Sequence, residues 1–406
     1  MILYYIVFPV FFPDLFYDII HFIEKKVGDF MPSTQKLFEE DAFLQNFTAQ
    51  VLDCQPCKGG WAVVLDATAF YPEGGGQPCD TGTLGGAAVR EVHLRDGVIV
   101  HLTDAPLTGT VEGAVDWPRR LDHMEQHTGE HILSGTLHRL YGAENVGFHI
   151  GEEVVRMDMS LPLTAAQLSE AERLANEAVR ADTPVRCHVP ETLEGLDYRS
   201  KKELEGPVRI VEAGGDVCAC CGTHLRTTGQ VGAIKILSAQ NYKGGVRLAV
   251  VCGARAWRAV AEGWEDATAA GRLLSAAPGR LTPAVEHLQT AQSCDKMRLA
   301  ALQNALAAAM AASVMPGAPC VRLAEGADGD GLRKIAVACA AAGASPALCV
   351  SHEGRYALAG DNVQALCRTL NAAFEGRGGG KPNFCQGSFA ALPGLKKLEE
   401  ELGIRN

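Results

Sequence analysis

The stretch Pro118–Tyr141, PRRLDHMEQHTGEHILSGTLHRLY, is where the chain changes its hydrophobic period, and its reading decides the fold class. Leu121, Met124, Ile132, Leu133, Leu137 and Leu140 trace one face of a helix. Upstream, over about residues 46–112, apolar positions alternate instead. Trp61, Val63 and Leu65, then Val92 and Leu94, read as short strands between glycine turns. Strands followed by helices predict an α+β fold that opens on a small β-barrel-like domain, residues 31–112.

Downstream of the decisive helix, Thr164-Ala-Ala-Gln167 is a capping box. It starts a second helix that buries Leu168, Ala171, Leu174, Ala175 and Ala178 and stops before Pro184. Short strands then run to about residue 252, so residues 113–253 form an α/β domain with an antiparallel sheet. Residues 254–313 are alanine-rich and helical, broken at Ala277-Pro278-Gly279, as in a helical hairpin that serves as spacer or dimer surface. Residues 314–406 combine strand-like Ala347–Ser351, helical Asn362–Phe374 and the glycine-rich Gly376–Pro382, a compact α/β module.

The first 30 residues differ from the rest, with many Phe, Tyr and Ile broken by Pro9, Pro13, Asp14 and Asp18. They match neither a membrane span nor a signal peptide, and the polar stretch after Met31 reads as the natural start. The 14 scattered cysteines without a secretory signal point to reduced thiols and a cytoplasmic location. A formal charge of −11 argues against indiscriminate binding to phosphate backbones. A nucleic-acid partner must therefore meet local basic groups, of which Arg199, Lys201 and Lys202 form one candidate set and Arg377 and Lys381 another. No membrane partner is expected.

His127-Thr-Gly-Glu-His131 puts two imidazoles one helical turn apart on the same face. Cys220-Cys-Gly-Thr-His224 supplies a thiolate and a third imidazole around Gly222, which permits the turn that a chelating loop needs. This mixture of nitrogen and sulfur suits one zinc ion per chain, held by His127, His131, Cys220 and His224. Two rivals use the same stretches. Cys54, Cys57, Cys218 and Cys221 have the pairing of a four-thiolate ribbon, and His127-x-x-Glu130-His131 matches the inverted zincin signature of a metallopeptidase. The ribbon would leave the two histidines without a purpose, and the peptidase lacks a visible carboxylate to complete its site. On the favoured reading Glu130 lies on the helix surface and Cys218 and Cys221 are supporting or inert.

With these motifs in order, the chain resembles the alanyl-tRNA editing hydrolases of the AlaX type, long form, over nearly everything from Met31. The resemblance rests on Phe70–Pro78 (FYPEGGGQP), His127–His131, Tyr198–Glu203, Val208–Val211, Cys220–His224 and Gly376–Ser388. It implies an editing domain detached from aminoacylation. The implied reaction is trans hydrolysis of the ester joining serine or glycine to the terminal ribose of mischarged alanine tRNA, with correctly charged alanine spared. Gly74, Gly75, Gly76 and Gln77 resemble the loop beside the family's editing pocket, where they would bind substrate; their other reading is a plain structural hairpin. The C-terminal module resembles the DHH-associated domain, where Gly378–Lys381 would cradle a phosphate; its other reading is domain packing or a homodimer surface. A non-catalytic tRNA-binding zinc protein remains the third functional class. Four ligands would close a zinc tetrahedron, so either one of them stands outside the inner set or the metal positions substrate without activating water.

Overall fold

Between Asn46 and Val115 the alternating sequence closes on itself. The computed structural model describes residues 32–200 and 207–404, so the first 30 residues and the candidates Lys201 and Lys202 lie outside the described residues. Two short strands, β1 (Gln35–Lys36) and β4 (Ala67–Thr68), pair in parallel, with a single turn α1 (Leu37–Glu40) after the first. The strands β2 (Asn46–Cys57), β3 (Gly60–Leu65), β5 (Gly82–Leu84), β6 (Ala87–Arg95), β7 (Val98–Thr103) and β8 (Thr110–Val115) form a closed antiparallel barrel in the order β2-β3-β7-β6-β5-β8. Phe47, Val63, Leu65, Phe70, Leu84, Val92 and Ile99 fill it. Leu94 is exposed, and Ala62 and Val64 are as buried as Val63 and Leu65, so β3 lacks the expected alternation.

Helix α2 (Trp117–Tyr141) begins where Asp116 accepts from Arg119 N, and it ends at Gly142 in the left-handed conformation. Every residue from Gln126 to Leu137 is buried. The helix therefore has covered faces all round, whereas the expected apolar stripe fails at its end, where Leu140 is exposed. Arg120, fully buried, fastens α2 to the barrel by ion-pairing with buried Asp80 and donating to Ala42 O and Ala69 O.

Around α2 lie β9 (Asn145–Ile150), β10 (Val155–Met159), α3 (Ala165–Arg180), β11 (Arg186–His188), β12 (Ile210–Ala213), β13 (Asp216–Ala219), β14 (Ile234–Tyr242) and β15 (Gly245–Cys252). They make a four-stranded antiparallel sheet, β14-β15-β10-β9, and a three-stranded one, β11-β12-β13. The capping box of α3 forms as expected, with Thr164 and Gln167 satisfying each other's end of the first turn. Met124, Ile132, Leu133, Leu137, Met157, Leu168, Ala175 and Leu248 share the core between helices and sheet.

The chain divides into two compact units between Asp266 and Ala267. That border falls inside α4 (Gly253–Leu273). A second long helix, α5 (Leu281–Ala311), follows the expected break. In the second unit β16 (Cys320–Leu323), α6 (Gly329–Ala341), β17 (Ala347–Val350), β18 (Arg355–Ala359), α7 (Gln364–Ala373), β19 (Arg377–Lys381), β20 (Phe384–Ser388) and α8 (Leu395–Glu401) build a five-stranded sheet ordered β16-β17-β18-β20-β19. The glycine-rich Gly378–Lys381 is a pleated edge strand paired antiparallel to β20. A Cβ on Gly378 would come within 2.4 Å of Gln386 O, and one on Gly380 within 2.2 Å of Phe384 O, so these glycines serve close strand approach. Among the described residues no helix is long and apolar enough to cross a membrane.

Candidate metal centre

Four-residue spacing on α2 stacks His127 over His131, with ring centroids 5.3 Å apart. The hairpin β12–β13 then carries the chain back against this face and leaves the loop Cys220–His224 beside it. The His224 ring centroid lies 4.6 Å from that of His127 and 4.9 Å from that of His131. Cys220 Sγ is 3.4 Å from His127 Nε2. One ligand atom from each of His127, His131, Cys220 and His224 lies within 4.8 Å of the others.

This donor set fits a metal. His131 Nε2 and both ring nitrogens of His224 are buried without a hydrogen-bond partner. Unsatisfied buried polar atoms are costly, and imidazole nitrogens left without a partner beside a buried thiol are the arrangement a cation resolves. Three nitrogens and one sulfur are ligands that zinc takes readily.

Each α2 imidazole is aimed by a partner at its far nitrogen. Gln77 Oε1 lies 2.8 Å from His127 Nδ1, and Asp216 Oδ2 lies 2.9 Å from His131 Nδ1. An amide or carboxylate oxygen here accepts, so both rings carry their proton on Nδ1 and turn Nε2 to the centre. Gln77 is fixed in turn, donating from Nε2 to Thr223 Oγ1 and accepting from Thr223 N. It reaches this place because Gly74 and Gln77 bond to each other across a tight turn whose central residues, Gly75 and Gly76, have φ of 59° and 86°. Positive φ at both central positions is the signature of a type I′ turn, and it favours glycine.

Two further glycines make room. A Cβ on Gly222 would sit 2.3 Å from His127 Cε1, and one on Gly135 would sit 2.5 Å from Asp216 Cβ. Arg209 donates to Cys220 O and Gly222 O, which pins the ligand loop.

The electrostatics match the geometry. Burial opposes ionisation of Cys220, yet His127 and His224 beside it hold its thiol well below the ordinary range. Burial likewise disfavours a charged His131, but the Asp216 hydrogen bond overrides it and raises the imidazole well above its usual value. Burial pushes His224 down to about 3.

The expected residues are distributed unevenly around this centre. Glu130, expected on the helix surface, is 2% exposed and accepts from Asn145 Nδ2, because α2 is covered on that side as well. Its carboxylate is not in the ligand group. Cys54 and Cys57 lie on β2 in the barrel, and among the described residues they join no metal-binding group with Cys218 or Cys221. Cys218 is buried beside His131 and Asp216. Arg199 is only 11% exposed at its side chain and is bonded to Asp216 and Ser134, so it is an interior residue. Arg377 and Lys381 are exposed on the edge strand β19 of the second unit.

Sequence spacing did not single out Asp216, Thr223 or Arg209. Nothing in a Gly-Gly-Asp turn marks a partner of a distant histidine, and nothing about an isolated arginine marks the residue that pins a distant loop.

A cavity of about 920 Å³ adjoins the same elements. Glu73 and Pro78, which flank the glycine turn, line it together with Arg119, His123, His149 and Arg258. Its volume lies within the range of small-molecule sites.

Residues 208–248, which include Cys220 and His224, match the model of the threonyl and alanyl tRNA synthetase second additional domain. The chain is 34% identical over 393 residues to an alanine–tRNA ligase of Pyrobaculum neutrophilum, covering 90% of this chain and 43% of the relative. It is 33% identical over 434 aligned residues to that of Pyrococcus abyssi, covering 96% and 47%, and 37% identical over 282 residues to that of Halobacterium salinarum, covering 64% and 30%. The chain thus spans less than half the length of these relatives.

Proposed function

We propose that this homologue of the alanine–tRNA ligases, which carries the editing-domain segment of that family, is a zinc-dependent aminoacyl-tRNA deacylase. On this reading it acts in trans on alanine tRNA mischarged with serine or glycine. The observation that carries the reading is the convergence of His127, His131, Cys220 and His224, with Gln77 of the glycine loop bonded to the first of them.

An aminoacyl ester is already activated, so its hydrolysis asks mainly for placement of ester and water and for stabilisation of developing negative charge. Zinc held by the four side chains would supply positive charge next to the reacting ester. The chain itself supplies orientation. Gln77 and Asp216 hold two imidazoles by their Nδ1 protons, and Arg209 holds the loop that bears the other two ligands. Around Gly75 a Cβ would meet nothing within 4 Å, so backbone there is open to a substrate. We assign the acyl end to the glycine-turn side and the terminal nucleoside to the cavity beside Glu73 and His123.

The burial of Glu130 and its bond to Asn145, together with Cys220 and His224 in the places where a peptidase would have a carboxylate ligand, favour the esterase over an inverted zincin peptidase. The test is deacylation of alanine tRNA charged with serine, glycine and alanine. Release of serine or glycine with alanine spared is expected; equal release of all three, or none, contradicts the reading.

A further inference from the structure

Asp216 does more than touch His131. Its side chain is 2% exposed and its carboxylate is gripped on both oxygens by one guanidinium: Arg199 Nε donates to Oδ1 at 2.7 Å and Arg199 Nη2 to Oδ2 at 2.8 Å. The same Nη2 donates to Ser134 Oγ at 2.8 Å, three residues beyond His131 on α2. Arg199 is itself fixed by its backbone, donating to Val217 O and accepting from Ala219 N across an isolated parallel bridge to Cys218. Gly135 leaves the space that Asp216 occupies.

We infer that Arg199 is a positioning residue of the metal centre, acting through Asp216 on His131, and not a contact to the tRNA backbone. A bidentate guanidinium fixes both the plane and the rotation of a carboxylate. With Oδ1 and Oδ2 both held, Asp216 can present only one direction to His131 Nδ1, and His131 Nε2 is thereby aimed at the other three ligands. Without Arg199 the carboxylate is free to turn and the imidazole loses its fixed aim. This rests on the metal-binding part of the proposed function but not on the deacylation reaction.

The experiment compares Arg199→Ala, Arg199→Lys and the unaltered full-length chain. Zinc affinity is measured by competition with a chromophoric chelator, unfolding temperature with and without zinc, and tRNA binding against salt. We expect Arg199→Ala to weaken zinc binding about 10- to 100-fold, the scale of losing an outer partner of a ligand, and Arg199→Lys to recover part of it. The zinc-induced rise in unfolding temperature should shrink in the same order. The slope of tRNA affinity against salt should not change. A merely structural role would lower the unfolding temperature equally with and without zinc and leave zinc affinity intact, which overturns the inference. So would unchanged zinc affinity with a salt slope smaller by about one unit, the mark of a lost phosphate contact. If the unaltered chain binds zinc but deacylates nothing, the reaction is wrong and the inference stands. If it binds no zinc, the metal reading and the inference fall together.

Discussion

Gln77 has a place that neither reading of its loop named, as the hydrogen-bond partner of a distant histidine. The glycines before it make a tight hairpin turn, and that turn delivers the amide to His127 Nδ1, 50 positions later in the chain. Replacing Gln77 with alanine should therefore leave the fold intact while weakening zinc affinity about 10- to 100-fold, read by chelator competition. Unchanged affinity would mean that the turn, and not the amide, matters. The four clustered side chains were legible because two pairs of ligand-type residues at four-residue spacing are a pattern in themselves. Their partners were not, since Asp216 and Arg199 become neighbours of His131 only through the pairing of β12 with β13 and the bridge at Cys218.

The helices α2 and α3 could be read in advance because their periods, caps and stops are local properties. What local sequence omits is how many sides of a helix get covered. Glu130 looked like a surface residue on a helix that turned out to be wrapped from Gln126 to Leu137. The run Gly376–Pro382 lacks any such signal: three consecutive glycines carry no side-chain period, so sequence alone does not reveal the paired strand they form. The paired strand makes two neighbouring glycines behave differently. A Cβ on Gly378 would meet Gln386 O at 2.4 Å and Tyr356 Oη at 2.6 Å, while one on Gly379 meets nothing within 4 Å. Gly378→Ala should cost about 1–3 kcal/mol in denaturant unfolding, and Gly379→Ala should stay within about 0.5 kcal/mol. Equal costs would argue against the β19–β20 register.

Across the molecule, helices and largely antiparallel sheets follow the α+β expectation, and the barrel closes as six strands. Stability of the first unit should depend on acid through a group remote from the metal centre. His101 lies inside the barrel, bonded to Thr68 Oγ1 and Val63 O, and burial lowers its imidazole to about 4. Its folded value is below its unfolded one, so between them the unfolded chain binds more protons. Its contribution is then complete above about pH 6.5 and is lost as pH falls towards 4, by about 3 kcal/mol. Urea unfolding from pH 7 to pH 4.5 should show this decline, and His101→Gln should make it smaller while the lowered imidazoles of His123 and His224 sustain the rest; an equal decline in both proteins would assign the acid sensitivity elsewhere.

All of this turns on whether two distant stretches hold a single ion. The direct measurement is the zinc-to-protein ratio, by elemental analysis, of the purified chain and of its Cys220→Ala and His131→Ala variants. The account predicts about one zinc per chain in the first and a near-complete loss in both variants that still fold. Full zinc content in either variant would contradict it.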